Sequence, residues 1–383
     1  MFSLQFDETQ LEIQSLAKDF ATNEIAPTAI SRDANAEFPT DILKKMGELG
    51  FMGMMVDPEY GGTGLDTLSY VLALEEFAKA DASVATITSV QNSLINWIIE
   101  SHGTEEQKQK YLPKLASGEW LGAYCLSEPE AGSDARQQST TAEKKDGKWI
   151  VNGLKNWIST AKQADVFVVF AQSDPGLKHK GICCFILDST MPGIGFGAKE
   201  EKMGLKSSHT FSLTLDNVEV PEENVVGSVG EGFYIAMRGL TGGRIGIAAQ
   251  AVGIAEGAFQ KALQYSTERK TMGIPICDHQ MIQQKLAQMS MKINAARALV
   301  HKAAWLKQNN MDCNRASSEA KLYASTIANE VTKEAVQIHG GYGYVQEYEV
   351  ERMMRDAKVT EIYEGTSEIQ HIVIARDLIK KLS

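Results

Sequence analysis

The feature that most limits the fold is a change of texture along the chain, from helical spacing to short β-rich runs and back again. Residues 8–26 place Leu11, Ile13, Leu16, Ala17 and Phe20 on one helical face, and Pro27 ends the run. Helical spacing returns over 39–49, 65–80, 84–101 and 105–117, with the glycine-rich loop 58–64 before the third stretch. The expectation is an all-α N-terminal domain over 1–120. Beyond it, Lys148–Asn152, Val166–Phe170, Gly181–Leu187 and Phe211–Leu215 are β-branched or aromatic runs between Gly, Pro, Asn and Asp clusters. They predict a middle β domain, a barrel or sandwich, over 121–227, closed by Pro221–Asn224. Past Gly230 the spacing predicts long helices over 231–267, 279–309, 315–340 and 346–381, an antiparallel four-helix bundle over 228–383. The fold class expected is therefore α+β, with helical ends around a β middle, and no internal repeat accounts for that order.

Composition narrows the functional classes. A hydrophobic share of 43% and a charged share of 23% belong to a soluble globular chain, and 383 residues allow two or three domains. A net charge of −11 argues against binding along nucleic acid, while local positive groups could still hold a small anion. The five cysteines form no C-x-x-C pair and are odd in number, which fits a reduced intracellular chain. Asp7, Glu8 and Glu12 near the start do not match a signal peptide, and no apolar stretch reaches membrane-spanning length.

Five stretches could carry chemistry. Near the C-terminus, helical spacing from Val350 runs into a turn at Gly365, and Ser367 with Gln370 has capping-box spacing. Glu364 on that break would point out of the helices, beside free N–H groups at the next helix start. Such surroundings fix a general base in direction and pKa. Tyr124–Asp134 combines hydroxyls, a turn and backbone donors suited to the polar edge of a planar cofactor. In 153–160, the Trp157 indole can stack on a flat ring and the Ser159 hydroxyl can bond its edge. Arg269–Gly273 with His279 and Gln280 offers an arginine for a pyrophosphate. Gln337–Tyr344 is a glycine-rich helix end where a backbone could approach a phosphate. Taken singly, each also fits a plain structural part: a solvated glutamate, a decorated loop, a core tryptophan, a basic helix end, a helix stop. No Gly-x-Gly-x-x-Gly follows a strand, which argues against a Rossmann site.

Taken together and in this order, the five stretches resemble the acyl-CoA dehydrogenase family over essentially the whole chain. The motif Tyr363-Glu364-Gly365-Thr366-Ser367 behind Arg355-Asp356-Ala357 carries most of the likeness. The resemblance implies an FAD enzyme with Glu364 as catalytic base. It implies that Tyr124, Leu126, Ser127, Trp157 and Ser159 meet the flavin, and that Ser133 serves both cofactor and CoA. Arg269, Thr271, Met272, Gln280, Gln337, Gly340 and Gly341 would hold the dinucleotide across a subunit contact, with Thr366 and Glu368 also on the cofactor. Thr241, Arg244, Tyr363 and Gly365 would contact substrate, and no metal is implied. Departures from the family pattern are Leu154 for a small polar residue, Met272 for phenylalanine and Thr241 for aspartate. Gly243 stands where some members place the base. Ala85 replaces an arginine that would bind a second carboxylate, while Ile95 and Trp97 are candidates to shorten the acyl tunnel, with helix-core roles equally open to them. The activity implied is α,β-dehydrogenation of a short-chain or branched short-chain acyl-CoA, with electrons leaving to an electron-transfer flavoprotein. The implied assembly is a homotetramer, in the cytoplasm of a bacterium or in the mitochondrial matrix. An enoyl-CoA reductase or acyl-CoA oxidase would use the same residues, and a catalytically silent acyl-CoA-binding scaffold is the reading from another class.

Overall fold

The structure, a computed structural model, describes residues 5–382. Strands β1 (Gly122–Cys125), β2 (Thr141–Lys145), β3 (Lys148–Ser159), β4 (Val166–Gln172), β5 (Ile182–Asp188), β6 (Ile194–Phe196), β7 (Thr210–Pro221) and β8 (Val225–Val226) form one sheet. Its order is β6-β7-β3-β2-β4-β5-β8, with β1 added parallel to β4. The continuous apolar run of β4 follows from burial on both faces. Val166, Val168 and Phe170 pack toward the helices, while Phe167, Val169 and Ala171 face the interior of the β layer. β5 alternates in the same way, Cys184 on one side and Cys183 and Phe185 on the other.

The helices at the two ends of the chain share a core. The N-terminal set is α1 (Glu8–Phe20), α2 (Ala29–Asn35), α3 (Thr40–Glu48), α4 (Thr67–Ala80), α5 (Ala82–Val90), α6 (Trp97–His102) and α7 (Glu105–Ala116). The C-terminal set is α8 (Gly232–Glu268), α9 (Gln280–Gln308), α10 (Asn314–His339), α11 (Val350–Val359) and α12 (Ser367–Lys380), with a small ribbon of β9 (Lys270–Thr271) and β10 (Ile274–Pro275). α8 runs for 37 residues and is buried all round between Ile245 and Ala255, packed between α4 and α10.

Three sequence expectations shift. The run over 8–26 is α1 followed by a π-helical turn, and Pro27 opens a short 3₁₀ segment into α2, which the spacing did not predict. The stretch 84–101 is interrupted by a π-helical turn at Gln91–Asn96. That turn aims buried amides inward: Gln91 donates to the Leu115 carbonyl at 2.9 Å, Asn92 to Phe51 at 2.9 Å and Asn96 to Met52 at 2.8 Å. Finally, the residue capping α12 is Thr366, whose hydroxyl accepts from the Ile369 N–H, and not Ser367. Gln370 turns back to donate to the Gly365 carbonyl at 2.8 Å, so no capping box forms.

All three parts of the chain meet at α11, just ahead of Glu364. Arg355 reaches the Asp33 carboxylate at 2.6 Å and the Met203 carbonyl at 3.0 Å. Asp356 accepts from the Leu205 N–H at 2.7 Å, and Gly204 sits so close to the α11 backbone that a Cβ there would meet Arg355 at 2.6 Å. Burial pushes the Asp356 carboxyl up to about 7, against the Arg352 guanidinium beside it.

Candidate active site

Between α11 and α12 the backbone is forced into the left-handed region at two consecutive residues, Glu364 (φ 51°) and Gly365 (φ 96°). Glycine adopts that conformation freely; a glutamate there is held by its surroundings. The bend carries the carboxylate against α8 and α10 and away from the start of α12, whose N–H groups Thr366 serves instead. A Cβ on Gly243 would lie 2.0 Å from Glu364 Oε2, so the glycine leaves the space the carboxylate occupies. This corrects the expected placement of Glu364 beside the N–H groups of the next helix.

Glu364 Oε2 is enclosed and has no hydrogen-bond partner in the protein. Burial pushes the carboxyl up to about 7, while Lys321 and Arg244 pull it back. Arg244 is 6% exposed, donates to Asn314 Oδ1 at 3.2 Å and Ser318 Oγ at 3.4 Å, and keeps a buried Nε without a partner. An acid poised near neutrality beside an enclosed, partnerless oxygen can take a proton from a bound molecule. Tyr363 donates its hydroxyl to Gln250, and Gln250 donates to Thr86 at 2.7 Å and to the Ala82 carbonyl at 2.8 Å. The Thr241 hydroxyl turns back to the Met237 carbonyl of its own helix at 3.1 Å.

The β-sheet residues assigned to the flavin lie on one stretch of connected backbone. The Asn156 N–H donates to the Ser127 carbonyl at 2.8 Å, which joins the Leu126–Ser127 turn to the segment bearing Trp157 and Ser159. A buried ion pair locks this arrangement: Lys155 Nζ meets Glu128 Oε1 at 2.7 Å and also donates to the Leu126 carbonyl. Glu128 further accepts from the Ser139 and Thr140 N–H groups, and the Lys155 ammonium holds its carboxyl at about 2 despite burial. Trp157 has a positive φ (61°) and is 60% exposed, so much of its indole is open. Tyr124 is half-buried and directs its hydroxyl to the Ala236 carbonyl at 3.4 Å. Ser133 is exposed on the loop ahead of Arg136. An open indole face, hydroxyl-bearing edges and an enclosed acid fit a planar flavin and a thioester.

A second group gathers at the far end of α8. Arg269, Thr271, Gly340 and Gly341 line an open cavity of about 960 Å³, with the Arg269 guanidinium 5.5 Å from the Tyr342 ring. Thr271 Oγ1 pairs with His279 Nε2 at 3.0 Å. Met272 is 96% exposed, and Gln280 and Gln337 are also exposed. Along the helix axis, Arg269 lies roughly 37 Å from Arg244. Glu368 stands exposed in the first turn of α12.

Sequence reasoning missed Lys321, Gln250 and the Lys155–Glu128 pair. Lys321 had a legible signal, a lysine on a buried stripe of Ser317, Ala320, Ala324, Ser325 and Ala328. The other two needed the fold, because their partners are distant in the chain.

This is the architecture and the residue set of a flavin-dependent oxidoreductase that works on a carbon acid. Family models for the acyl-CoA dehydrogenase N-terminal, middle and C-terminal domains match residues 7–119, 123–218 and 230–379. The short-chain specific acyl-CoA dehydrogenase of Clostridium acetobutylicum is 46% identical over 368 residues, 96% of this chain and 97% of the relative. The structure of butyryl-CoA dehydrogenase from Megasphaera elsdenii superposes with a TM-score of 0.97 at 45% identity, over 99% of this chain and 100% of that one. A chain from work on the electron transferring flavoprotein of Acidaminococcus fermentans and flavin-based electron bifurcation gives 0.98 at 48% identity, with coverage of 99% and 100%. The chain belongs to the acyl-CoA dehydrogenase family, whose members are FAD-dependent oxidoreductases. No helix among the described residues is long and apolar enough to cross a membrane.

Proposed function

We propose that the chain dehydrogenates a short-chain acyl-CoA to the trans-2-enoyl thioester, with Glu364 as base and an electron-transfer flavoprotein as acceptor. The observation that carries this reading is the half-buried Glu364, its Oε2 enclosed and unpartnered, with cations on two sides and Gly243 making room for it. Glu364 takes the α-proton onto its free oxygen, and its backbone N–H is assigned to the thioester carbonyl oxygen. FAD, when bound, supplies the acceptor for the hydride that leaves the β-carbon. Trp157, Ser127 and Ser159 would hold the ring, and Arg244 faces the base as a cation from α8. The acceptor is supported by the match to the chain from the flavoprotein study. All five cysteines are free, which supports a reduced, cytoplasmic setting.

Glu364→Gln keeps the side chain's size and removes its ability to accept a proton. The variant should retain FAD and bind butyryl-CoA, while anaerobic flavin reduction slows by ~10²–10⁴. Bleaching at the parent rate would show that the base lies elsewhere.

The short-chain preference is supported by what lies around the base. A Cβ at Gly246, one turn along α8 from Gly243, would meet Tyr70 Oη and Ser89 Oγ, each at 2.4 Å. Tyr70 and Ser89 are hydrogen-bonded at 2.9 Å and buried, so the phenol fills the space over that glycine. The Tyr363–Gln250–Thr86 chain closes a second side. Ala85 is buried and offers no cation for a second carboxylate. Ile95 is engaged against Gly122 of β1, and Trp97 lies 4.8 Å from Lys307 Nζ and 5.7 Å from the Arg238 guanidinium. Among straight-chain acyl-CoAs of four to sixteen carbons, kcat/KM should be highest at the short end, and glutaryl-CoA should be a poor substrate. A maximum at palmitoyl length would contradict the pocket reading.

A further inference from the structure

We propose that Lys321 is a positioning residue for the base: from α10 it anchors the Glu364–Gly365 turn through the Gly365 carbonyl and presents a cation to the carboxylate. The inference rests on the reading of Glu364 as base. Lys321 is wholly buried on a stripe of small residues, where an apolar side chain would fill the same space without the cost of desolvating an ammonium. Its Nζ donates to the Gly365 carbonyl at 2.7 Å, the same oxygen that Gln370 Nε2 reaches at 2.8 Å. Two buried side chains thus fix one peptide, in a turn whose glutamate holds a positive φ. A left-handed conformation is unfavourable at a non-glycine residue, so the turn requires outside support.

The ammonium also matters as a charge. Glu364 is the anion acting most strongly on Lys321, and Lys321 is the cation acting most strongly on Glu364, ahead of Arg244. Burial brings Lys321 down to about 8, so the cation is present in the range where Glu364 titrates. The other groups facing this pair are Arg244 from α8, Tyr70 from α4 and Tyr124 from β1. Tyr363 of the turn, with Glu361 before it and Glu368 on α12, completes the set. Among these, Lys321 alone both touches the turn and carries a charge opposite to the base.

The test uses FAD-loaded Lys321→Met, Lys321→Gln and Lys321→Arg, with butyryl-CoA and kcat/KM followed from pH 5.5 to 10. Removing a neighbouring opposite charge raises a carboxyl by about 1–3 units. The rising limb of the profile, set by ionisation of Glu364, should therefore move to higher pH in Lys321→Met and Lys321→Gln. Their deficit should be roughly tenfold or more at pH 7 and shrink as the pH rises, while Lys321→Arg restores the parent midpoint. Lys321→Gln keeps a donor for the Gly365 carbonyl, so it reports on charge even where Lys321→Met fails to fold. A loss of rate equal at every pH would mark a purely structural lysine, and an unmoved midpoint in the glutamine variant would overturn the proposal. Undiminished flavin reduction by Glu364→Gln would instead overturn the base itself, so the two failures are told apart.

Discussion

The two ends of α8 differ in kind. At one end, Gly243 and Arg244 face an acid whose free oxygen is enclosed. At the other, Arg269 opens onto a cavity of about 960 Å³ with Gly340, Gly341 and an almost fully exposed Met272 nearby. The first region is closed over its acid, whereas the second is an open cavity with Arg269 and Thr271 on its wall. Roughly 37 Å of helix separates Arg244 from Arg269. We therefore propose that the Arg269 end serves the cofactor of a second copy, in a tetramer built from dimers.

The comparison can be pressed hardest at the closed end. Gly243→Ala places a methyl group 2.0 Å from the present position of Glu364 Oε2, so the carboxylate must move. Misplacement of a reacting group by ~1 Å can cost ~10² in rate. Flavin reduction by substrate should slow by about that factor, with FAD content unchanged. A variant as fast as the parent would mean that the carboxylate has more freedom than its enclosure implies.

Arg269→Ala probes the open end and should have the opposite signature. A charge-assisted hydrogen bond is worth ~1.5–3 kcal/mol, or about 10- to 150-fold in affinity. FAD should be lost on dilution or gel filtration, while turnover at saturating FAD stays near that of the parent. A loss of turnover with FAD fully retained would place Arg269 in the wrong site.

The smallest expected effect is on stability. Glu364 titrates at about 7 in the folded protein, above its ordinary value of 4.5. Between those values the folded state binds more protons than the unfolded one, so this group destabilises the fold progressively as pH rises through that window. Glu364→Gln should therefore melt several degrees above the parent at pH 8, and the gap should close toward pH 4.5. Asp356, raised to about 7 by burial, adds a slope of the same sign in both proteins and cancels from the comparison. An equal melting temperature at both pH values would show that the carboxylate carries no such cost.

Much of the architecture was legible because its signals are local. The long helices α8, α9 and α10 begin and end within a residue or two of the expected spacing. β4 and β5 were visible as apolar runs, whereas β1 and β2 were not. β1 is four residues long, and β2 is largely exposed and charged, with neither an apolar run nor a clean alternation. The π-helical turn at Gln91–Asn96 was hidden because its cause lies in carbonyls of Phe51, Met52 and Leu115, which the chain brings near only on folding. In the site, Glu364 stood out through its motif, but the sequence placed its carboxylate at the start of α12. Only the packed helices reveal Gly243 and Lys321 as its actual neighbours.

The joint at Arg355 carries a lesson about modularity. Family models divide the chain into three segments, yet one guanidinium on α11 reaches a carboxylate from the first and a carbonyl from the second. The adjoining Asp356 takes an N–H from the second as well. The segments are consequently poor units of exchange. A chimera that borrows its first 120 residues from a relative must bring an acid to the position of Asp33. One that borrows the β layer must keep a glycine at 204, since any side chain there would run into the α11 backbone. Recombination in this chain is governed less by where its segments end than by the few atoms at which they are stitched together.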